Sequence, residues 1–217
     1  MNYPPLVAYD LISPEPREWQ VTPLFSSPIS LTKIADNACI DLKAICSEQE
    51  WTEDEEGSGQ NGSVTKNHFV LDTNEELKKY FEDLCRSLIR GVLAYDTDIQ
   101  ITTSWFTETR ENGSCVEHVH CNSWYSAVVY FDDYDQDSSK IQFLGQSGNI
   151  CPMSTFQYNF FNARTWDVQP ETGLILMFPS ESRHKVLRGS NSKKRYSLAF
   201  NIMPKGKTGE NDSMFTY

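Results

Sequence analysis

The chain has 217 residues, of which 39% are hydrophobic and 12% aromatic, and this is enough for one packed domain with a substantial core. Its 30 acidic and 19 basic side chains give a net charge of -11, which disfavours binding to nucleic acids and anionic membranes. The sequence contains neither an apolar run of the roughly 18 residues that cross a bilayer nor an N-terminal signal segment. We therefore expect a cytoplasmic protein.

The first 98 residues predict an irregular segment followed by two helices. Prolines interrupt residues 1–30 and favour turns there. Apolar residues at helical spacing predict a first helix over 36–50, with Asp36 as its N-cap. A charged and then Gly/Ser-rich run at 53–63 predicts an exposed loop.

A second helix is predicted over 74–93, where Asp72 or Thr73 is a suitable N-cap. An apolar stripe along this segment is typical of a helix that packs on a core. The stripe consists of Leu77, Tyr80, Phe81, Leu84, Leu88 and Val92.

From residue 99 to residue 203 the helical spacing gives way to short β-type runs separated by Gly, Asn, Asp and Ser. Such runs without intervening helices predict a mainly β fold with flanking helices, a double-stranded β-helix (jelly roll, cupin-like). Residues 204–217 predict a surface tail, so we expect 1–217 to form a single domain. The runs are IQITTSWF, CVEHVHC, YSAVVYF, KIQFL, GLILMF, HKVL and RYSLAFNI.

Six cysteines are spread along the chain without any CxxC pair. In the absence of a secretory context this pattern predicts reduced thiols and supports neither a disulfide framework nor a zinc finger. The six are Cys39, Cys46, Cys85, Cys115, Cys121 and Cys151.

Three of the four histidines occupy positions that suit metal ligands. His118 and His120 stand two residues apart in a β-type run, so their side chains should share one face of a strand. His184 follows the apolar run GLILMF, and a barrel could bring it beside the first pair. Imidazole is a good ligand for iron, zinc, copper and nickel. An HxH pair alone is a weak signal, and ordinary polar strand residues are the alternative.

A second motif follows His184. Ten residues separate it from Arg195, and Ser197 should share a strand face with that arginine. A guanidinium binds a carboxylate through two parallel hydrogen bonds, and a buried guanidinium needs an anion. Arg195 could instead belong to the surface run SKKR, but its place at the start of the apolar run YSLAFNI favours a pocket.

The segments SWFTETRENGSCVEHVHCNSWYSAVVYF, GLILMFPSESRHKV and RYSLAFNIMPKG resemble iron(II)/2-oxoglutarate-dependent oxygenases, in particular oxygenases of marine cyanophages and bacteria. The resemblance covers residues 99–217 well and the N-terminal part loosely. It implies a double-stranded β-helix, Fe(II) as cofactor, and 2-oxoglutarate and O2 as cosubstrates. The implied reaction is hydroxylation of an unidentified prime substrate, with release of succinate and CO2. A phage-encoded enzyme of this kind would act in the host cytoplasm.

The resemblance also implies roles for single residues. His118 and His184 would be iron ligands, Arg195 would pair with the far carboxylate of 2-oxoglutarate, and Ser197 would add a hydrogen bond. The chain departs from the family at His120, where the wider superfamily has a carboxylate in a His-x-Asp/Glu motif. Either His120 is the third metal ligand, or it lies outside the coordination sphere and water completes it. Its spacing leads us to expect a ligand.

Two other classes of function remain compatible with these residues. One is a three-histidine cupin-type dioxygenase or isomerase that does not use 2-oxoglutarate, in which Arg195 and Ser197 would bind the substrate. The other is a non-catalytic jelly-roll protein with a binding or structural role. Further polar and aromatic residues could line a pocket, although such residues are more often ordinary core or turn positions. These are Trp105, Asn122, Tyr130 and Asn201.

Overall fold

The computed structural model describes the backbone of residues 6–8 and 17–19 and all atoms of residues 25–52, 59–145, 154, 158–190 and 193–217. The helices are α1 (Asp36–Ser47) and α2 (Glu75–Arg86), and a π-helical turn at Ser87–Val92 continues α2. Short 3-10 turns lie at Val70–Thr73 and Asn211–Ser213. The strands are β1 (Leu6–Ala8), β2 (Arg17–Trp19), β3 (Ser30–Lys33), β4 (Gln60–Val64), β5 (Asp98–His118), β6 (Tyr125–Tyr130), β7 (Ile141–Leu144), β8 (Thr165–Val168), β9 (Leu174–Pro179), β10 (His184–Val186), β11 (Arg195–Lys205), β12 (Lys207–Thr208) and β13 (Phe215–Thr216).

Nine of the described strands form one antiparallel sheet in the order β3-β9-β6-β11-β5-β10-β7-β8, with β4 also paired to β5. Strand β5 is 21 residues long and belongs to both halves of this sheet. Its first part pairs with β11, and its last residues pair with β10. The sheet therefore curls over along β5, and the predicted double-stranded β-helix with flanking helices is confirmed.

The central strands β6 and β9 are covered on both faces, and all six residues of β6 are buried. On the outer face the helices pack against the sheet, where the rings of Phe81 and Phe200 lie 5.5 Å apart and Leu42 joins the same cluster. On the inner face Tyr130 and Phe178 belong to a second apolar cluster. Burial on both sides explains why these strands are continuous apolar runs in the sequence.

The first helix is shorter than predicted. It starts at Asp36 but ends at Ser47 rather than at residue 50. The prediction of Asp36 as the N-cap was wrong, because Ala35 holds that position and no side chain caps the helix there. Asp36 instead lies in the first turn, where a carboxylate interacts favourably with the helix dipole.

The second helix agrees with the prediction in position but not in its cap. Asn74, and neither Asp72 nor Thr73, is the N-cap, and its side-chain oxygen accepts a hydrogen bond from the Leu77 N–H at 3.0 Å. Asn74 has the extended backbone that this cap geometry requires. The helical path continues to Val92 only through the π-helical turn.

Several strands differ from the prediction. The runs IQITTSWF and CVEHVHC belong to one strand, β5, which ends at His118, so His120 lies in the following loop. The prediction missed β3, β4 and β8, which are short and carry exposed or polar residues. Strand β4 covers part of the predicted loop at 53–63, while residues 53–58 lie outside the described residues. The predicted tail contains the exposed β12–β13 hairpin.

Two further findings concern the cysteines and the lengths of the helices. The five cysteines in the described part of the chain are free thiols, as predicted, and Cys151 lies outside it. Among the described helices, none is both long enough and apolar enough to traverse a bilayer. The assignment of the whole chain to one domain stays a prediction.

Replacement of Leu42 by Ala tests the packing of α1 on the outer face of the sheet. Leu42 is fully buried, so its truncation should lower the free energy of unfolding by about 2–5 kcal/mol. The matched control is Ile40→Ala on the same helix, because Ile40 is 67% exposed. The control should change stability by no more than about 0.5 kcal/mol in urea denaturation. Equal losses in the two variants would contradict this packing.

Candidate metal centre

Three histidines from separate parts of the chain converge at one end of the barrel. His184 opens β10 and is the cross-strand neighbour of His118 at the end of β5. The loop that carries His120 is fastened beside them, because its backbone N–H donates to the Ser180 carbonyl at 3.0 Å. One ring nitrogen from each histidine lies within 4.8 Å of the others, and in the described part of the chain no other group of potential ligands converges in this way.

The hydrogen bonds behind the three rings fix their tautomers. Each Nδ1 lies 2.8 Å from an oxygen that can only accept, so each Nδ1 carries a proton. Each Nε2 therefore keeps a free lone pair, which is the arrangement of a metal-binding imidazole. The acceptors are the backbone oxygens of Val116 for His118 and Ser182 for His184, and Oδ1 of Asn201 for His120.

Neighbouring side chains hold the Asn201 amide in the orientation that His120 needs. Its Nδ2 donates to the Thr103 hydroxyl at 3.1 Å, and the Ser126 hydroxyl donates to its Oδ1 at 2.9 Å. The amide oxygen is thus turned towards the His120 ring. The Trp105 indole stacks on the His120 ring at a centroid distance of 5.7 Å.

Burial keeps two of the rings neutral. Desolvation of the charged form lowers the pKa of His184 to about 3, and the nearby His118 and His120 add to this effect. The pKa of His120 is also lowered, again mainly by burial. Neutral imidazole is the form that binds metals. Three nitrogens bound to one ion at about 2.1 Å lie about 3 Å apart, so binding requires the rings to approach by less than about 2 Å. The histidines therefore fit a divalent transition metal such as iron(II).

Arg195 forms a second polar site on the inner face. It is only 3% exposed, and its Nη2 donates to the Tyr130 hydroxyl at 3.1 Å. Its Nη1 makes long contacts of 3.5 Å to the hydroxyls of Thr109 and Ser197, and its Nε has no partner within the described residues. No carboxylate of the described chain lies within ion-pairing distance of this guanidinium. A buried cation without a counter-ion is costly, so the site suits an anionic ligand.

The alternation of side-chain directions along β11 shows on which face of the sheet Arg195 lies relative to the histidines. Arg195, Ser197 and Asn201 are separated by even numbers of residues on β11, so they point to the same face of the sheet. Asn201 binds His120, which identifies that face as the one that bears the histidines. The geometry therefore agrees with the expectation that Arg195 points into the barrel on the histidine side, with Ser197 beside it.

The structure also shows which of the further polar and aromatic candidates contact the site. Tyr130 contacts Arg195, whereas Trp105 and Asn201 contact His120. Asn122 makes none of these contacts and has a positive φ of 53° in the turn after His120. Its role is conformational, because asparagine tolerates this backbone region better than most residues.

The sequence analysis did not single out Thr103 or Thr109, which support Asn201 and Arg195. Period-two spacing in the run ITTSWFTET would have placed both on the inner face of β5. Their partners became identifiable only through the register between β5 and β11, in which Thr103 faces Asn201 and Thr109 faces Arg195.

The jelly roll and its group of three histidines fit a mononuclear metal site. Residues 103–201 match the family described as "Putative 2OG-Fe(II) oxygenase", and this segment contains all three histidines as well as Arg195 and Ser197. This part of the chain is similar to the 2OG-Fe(II) oxygenases, which are oxidoreductases, in agreement with the resemblance stated from the sequence. No curated protein matches the chain significantly.

Solved structures with similar folds include several oxygenases. A prolyl-4-hydroxylase from Pseudomonas putida aligns over 84% of this chain and 96% of its own, with 17% identity and a TM-score of 0.58. A viral collagen prolyl hydroxylase from Paramecium Bursaria Chlorella virus-1 aligns over 80% and 94%, with 10% identity and a TM-score of 0.55. HygX from Streptomyces hygroscopicus, solved with nickel, 2-oxoglutarate and hygromycin B, aligns over 82% and 83%, with 10% identity and a TM-score of 0.57. At these identities the likeness establishes the fold.

The variant Asn201→Ala tests how the metal site is held. Loss of the acceptor behind His120 frees that ring to rotate, so affinity for iron(II) should fall by about 10- to 100-fold. Anaerobic titration with iron(II) measures the change. The control Asn122→Gly removes a nearby asparagine that does not contact the rings and keeps a residue that tolerates positive φ. If Asn201→Ala binds iron(II) as tightly as the wild type, the hydrogen bond does not hold the ligand.

Proposed function

We propose that His118, His120 and His184 hold iron(II) and that Arg195, with Ser197, anchors 2-oxoglutarate for hydroxylation of a prime substrate, with release of succinate and CO2. The main support is the combination of three convergent histidines, each with a free Nε2, and a buried arginine on the same face that has no counter-ion among the described residues. The first group suits the metal and the second suits the far carboxylate of the cosubstrate.

The side chains around the site have distinct tasks. Bound iron(II) supplies the oxygen chemistry, and the protein supplies binding and orientation. Arg195 presents its guanidinium to the far carboxylate, held in place by the Tyr130 hydroxyl and the face of the Tyr130 ring, 5.0 Å from Cζ. Ser197 offers a hydroxyl beside it. Phe143 and Phe178 pack against His184 and exclude water from the buried side of the metal site.

His120 is the third ligand in this proposal. Its ring centroid lies 5.4 Å from that of His118 and 5.2 Å from that of His184. Neither Glu117 nor Asp132 offers a replacement carboxylate, since Glu117 pairs with Arg183 and Asp132 pairs with Lys43. Three neutral ligands leave the full charge of the metal ion in place, which suits a dianionic cosubstrate.

We also infer a cytoplasmic location, which for a phage-encoded enzyme is the host cytoplasm. Free thiols at the five described cysteines suit a reducing compartment. The net charge of -11 makes nucleic acid an unfavourable partner, so we expect O2, 2-oxoglutarate and a prime substrate of another class.

Calorimetric titration of 2-oxoglutarate into anaerobic, iron(II)-loaded protein tests the cosubstrate site. Arg195→Ala should weaken binding by roughly 2–5 kcal/mol, because one member of a buried charge pair is removed. Arg195→Lys should recover part of the loss, since an ammonium cannot reproduce two parallel hydrogen bonds. Affinity for iron(II) should be unchanged in both variants. Equal binding of 2-oxoglutarate by the wild type and Arg195→Ala would favour a dioxygenase that does not use it, or a binding protein.

Succinate formation tests the reaction itself. Wild-type protein with iron(II), 2-oxoglutarate and O2 should release succinate slowly even without the prime substrate, and His184→Ala should not, because it lacks a metal ligand. Metal analysis of both proteins is the accompanying measurement, and thermal unfolding of the metal-free forms checks that the variant folds. Retention of iron(II) by His184→Ala, with unchanged succinate formation, would exclude His184 as a ligand.

A further inference from the structure

Glu108 is a buried carboxylate on the face of β5 opposite to the arginine site. It is 4% exposed and is paired with Tyr196 across the β5–β11 ladder. Its Oε2 accepts hydrogen bonds from Lys194 Nζ and from the Tyr196 hydroxyl, both at 2.9 Å. Its Oε1 accepts from Arg110 Nε. Burial alone would raise the pKa of Glu108, but these three donors hold it below its ordinary value, so the group is a carboxylate at neutral pH.

Two of the residues that donate hydrogen bonds to Glu108 are the immediate neighbours of Arg195 in the sequence. Lys194 precedes Arg195 and Tyr196 follows it, and both side chains end on the same carboxylate oxygen. The Tyr196 ring is also packed against Trp51 at a centroid distance of 5.6 Å. Arg195 is the first residue of β11, where the ladder to β5 begins. Before Leu198 this strand pairs with β5 but not with β6, so these side-chain contacts add to the few backbone hydrogen bonds that hold its start.

The guanidinium makes one close hydrogen bond, from Nη2 to the Tyr130 hydroxyl at 3.1 Å. Its other two hydrogen bonds measure 3.5 Å, and its Nε has no partner among the described residues. Its position therefore also depends on where the backbone of residue 195 lies. On the inner face, Thr109 and Thr107 of β5 meet Arg195 and Ser197, and the Thr107 and Ser197 hydroxyls are 2.7 Å apart. Glu108 lies between these two threonines in the sequence. Its side chain links β5 to the start of β11 on the opposite face of the sheet.

We propose that Glu108 is a positioning residue for the cosubstrate site: through Lys194 and Tyr196 it sets the start of β11 and thereby places Arg195 for the far carboxylate of 2-oxoglutarate. The inference rests on the proposed role of Arg195. The change in 2-oxoglutarate affinity expected from a positioning role is opposite in sign to the change expected from charge alone. Removal of the Glu108 charge makes the region more positive and by itself would tighten binding of a dianion. Loss of the hydrogen bonds from Lys194 and Tyr196 to Glu108 displaces the guanidinium and weakens the binding of 2-oxoglutarate.

The variant Glu108→Gln distinguishes these effects in the calorimetric titration of 2-oxoglutarate into anaerobic, iron(II)-loaded protein. We expect the affinity for 2-oxoglutarate to fall on the order of tenfold, as for a lost charged hydrogen bond, with unchanged affinity for iron(II). Tyr196→Phe removes only one donor and should weaken 2-oxoglutarate binding by a smaller factor. In the Glu108→Gln background it should have little further effect, because both changes break the same contact.

The core variant Leu42→Ala is the matched control for general destabilisation, and it should leave 2-oxoglutarate affinity unchanged. If Glu108→Gln does not fold, Tyr196→Phe carries the test alone. Unchanged or tighter binding of 2-oxoglutarate in the folded Glu108 or Tyr196 variant would overturn the inference, provided that Arg195→Ala weakens binding. If Arg195→Ala has no effect either, the proposed function of Arg195 fails together with it.

Discussion

The antiparallel ladder between β5 and β11 decides which side chains meet at the site. Eleven residue pairs join the two strands, from Arg195 opposite Thr109 to Lys205 opposite Asp98. Since successive side chains alternate between faces, this register sends Phe200 and Leu198 to the helices and Asn201 and Arg195 to the barrel interior. Slippage by one residue would exchange the two sets and place a guanidinium among the helices. The packing of the core and the set of side chains at the site therefore both depend on the register between β5 and β11.

The three candidate ligand histidines are oriented by neutral hydrogen-bond acceptors, without a charged partner among the described residues. The acceptors behind the rings are two backbone oxygens and one amide oxygen. Backbone acceptors two residues before His118 and His184 cannot be lost by substitution of a side chain. The amide of Asn201 is the variable part, and it is itself fixed by hydroxyls from β5 and β6. These hydrogen bonds orient the three rings before a ligand binds, which reduces the entropic cost of binding.

Much of the fold could be predicted because the strands that are buried on both faces are recognisable as apolar runs in the sequence. Strands β6, β9 and β11 are apolar runs, since one face meets the helices and the other meets the interior. Strands β3 and β8 lie at the edges of the sheet and β4 pairs beside β5, and their exposed or polar residues carry no such pattern. Backbone pairing alone defines them, and this pairing depends on distant parts of the chain.

Part of the arrangement of the candidate site could be predicted as well. Spacing and family resemblance were enough to choose His118, His184 and Arg195 as candidates, and the structure places the two histidines side by side. The reason given for His120 was incomplete, because β5 ends before it and a backbone hydrogen bond to Ser180 places its loop. The contacts of Asn201 could not be assigned, since they require the relative register of three strands.

The neutral amide behind His120 also has an electronic consequence. A carboxylate at that position would draw the Nδ1 proton towards itself and make the ring a stronger electron donor, whereas the oxygen of Asn201 does so only weakly. Three imidazoles with neutral acceptors stabilise a ferric ion less than a ligand set that includes a carboxylate. Iron held by these three histidines would therefore have a higher reduction potential than iron held by a ligand set with a carboxylate, and its iron(II) form would resist oxidation.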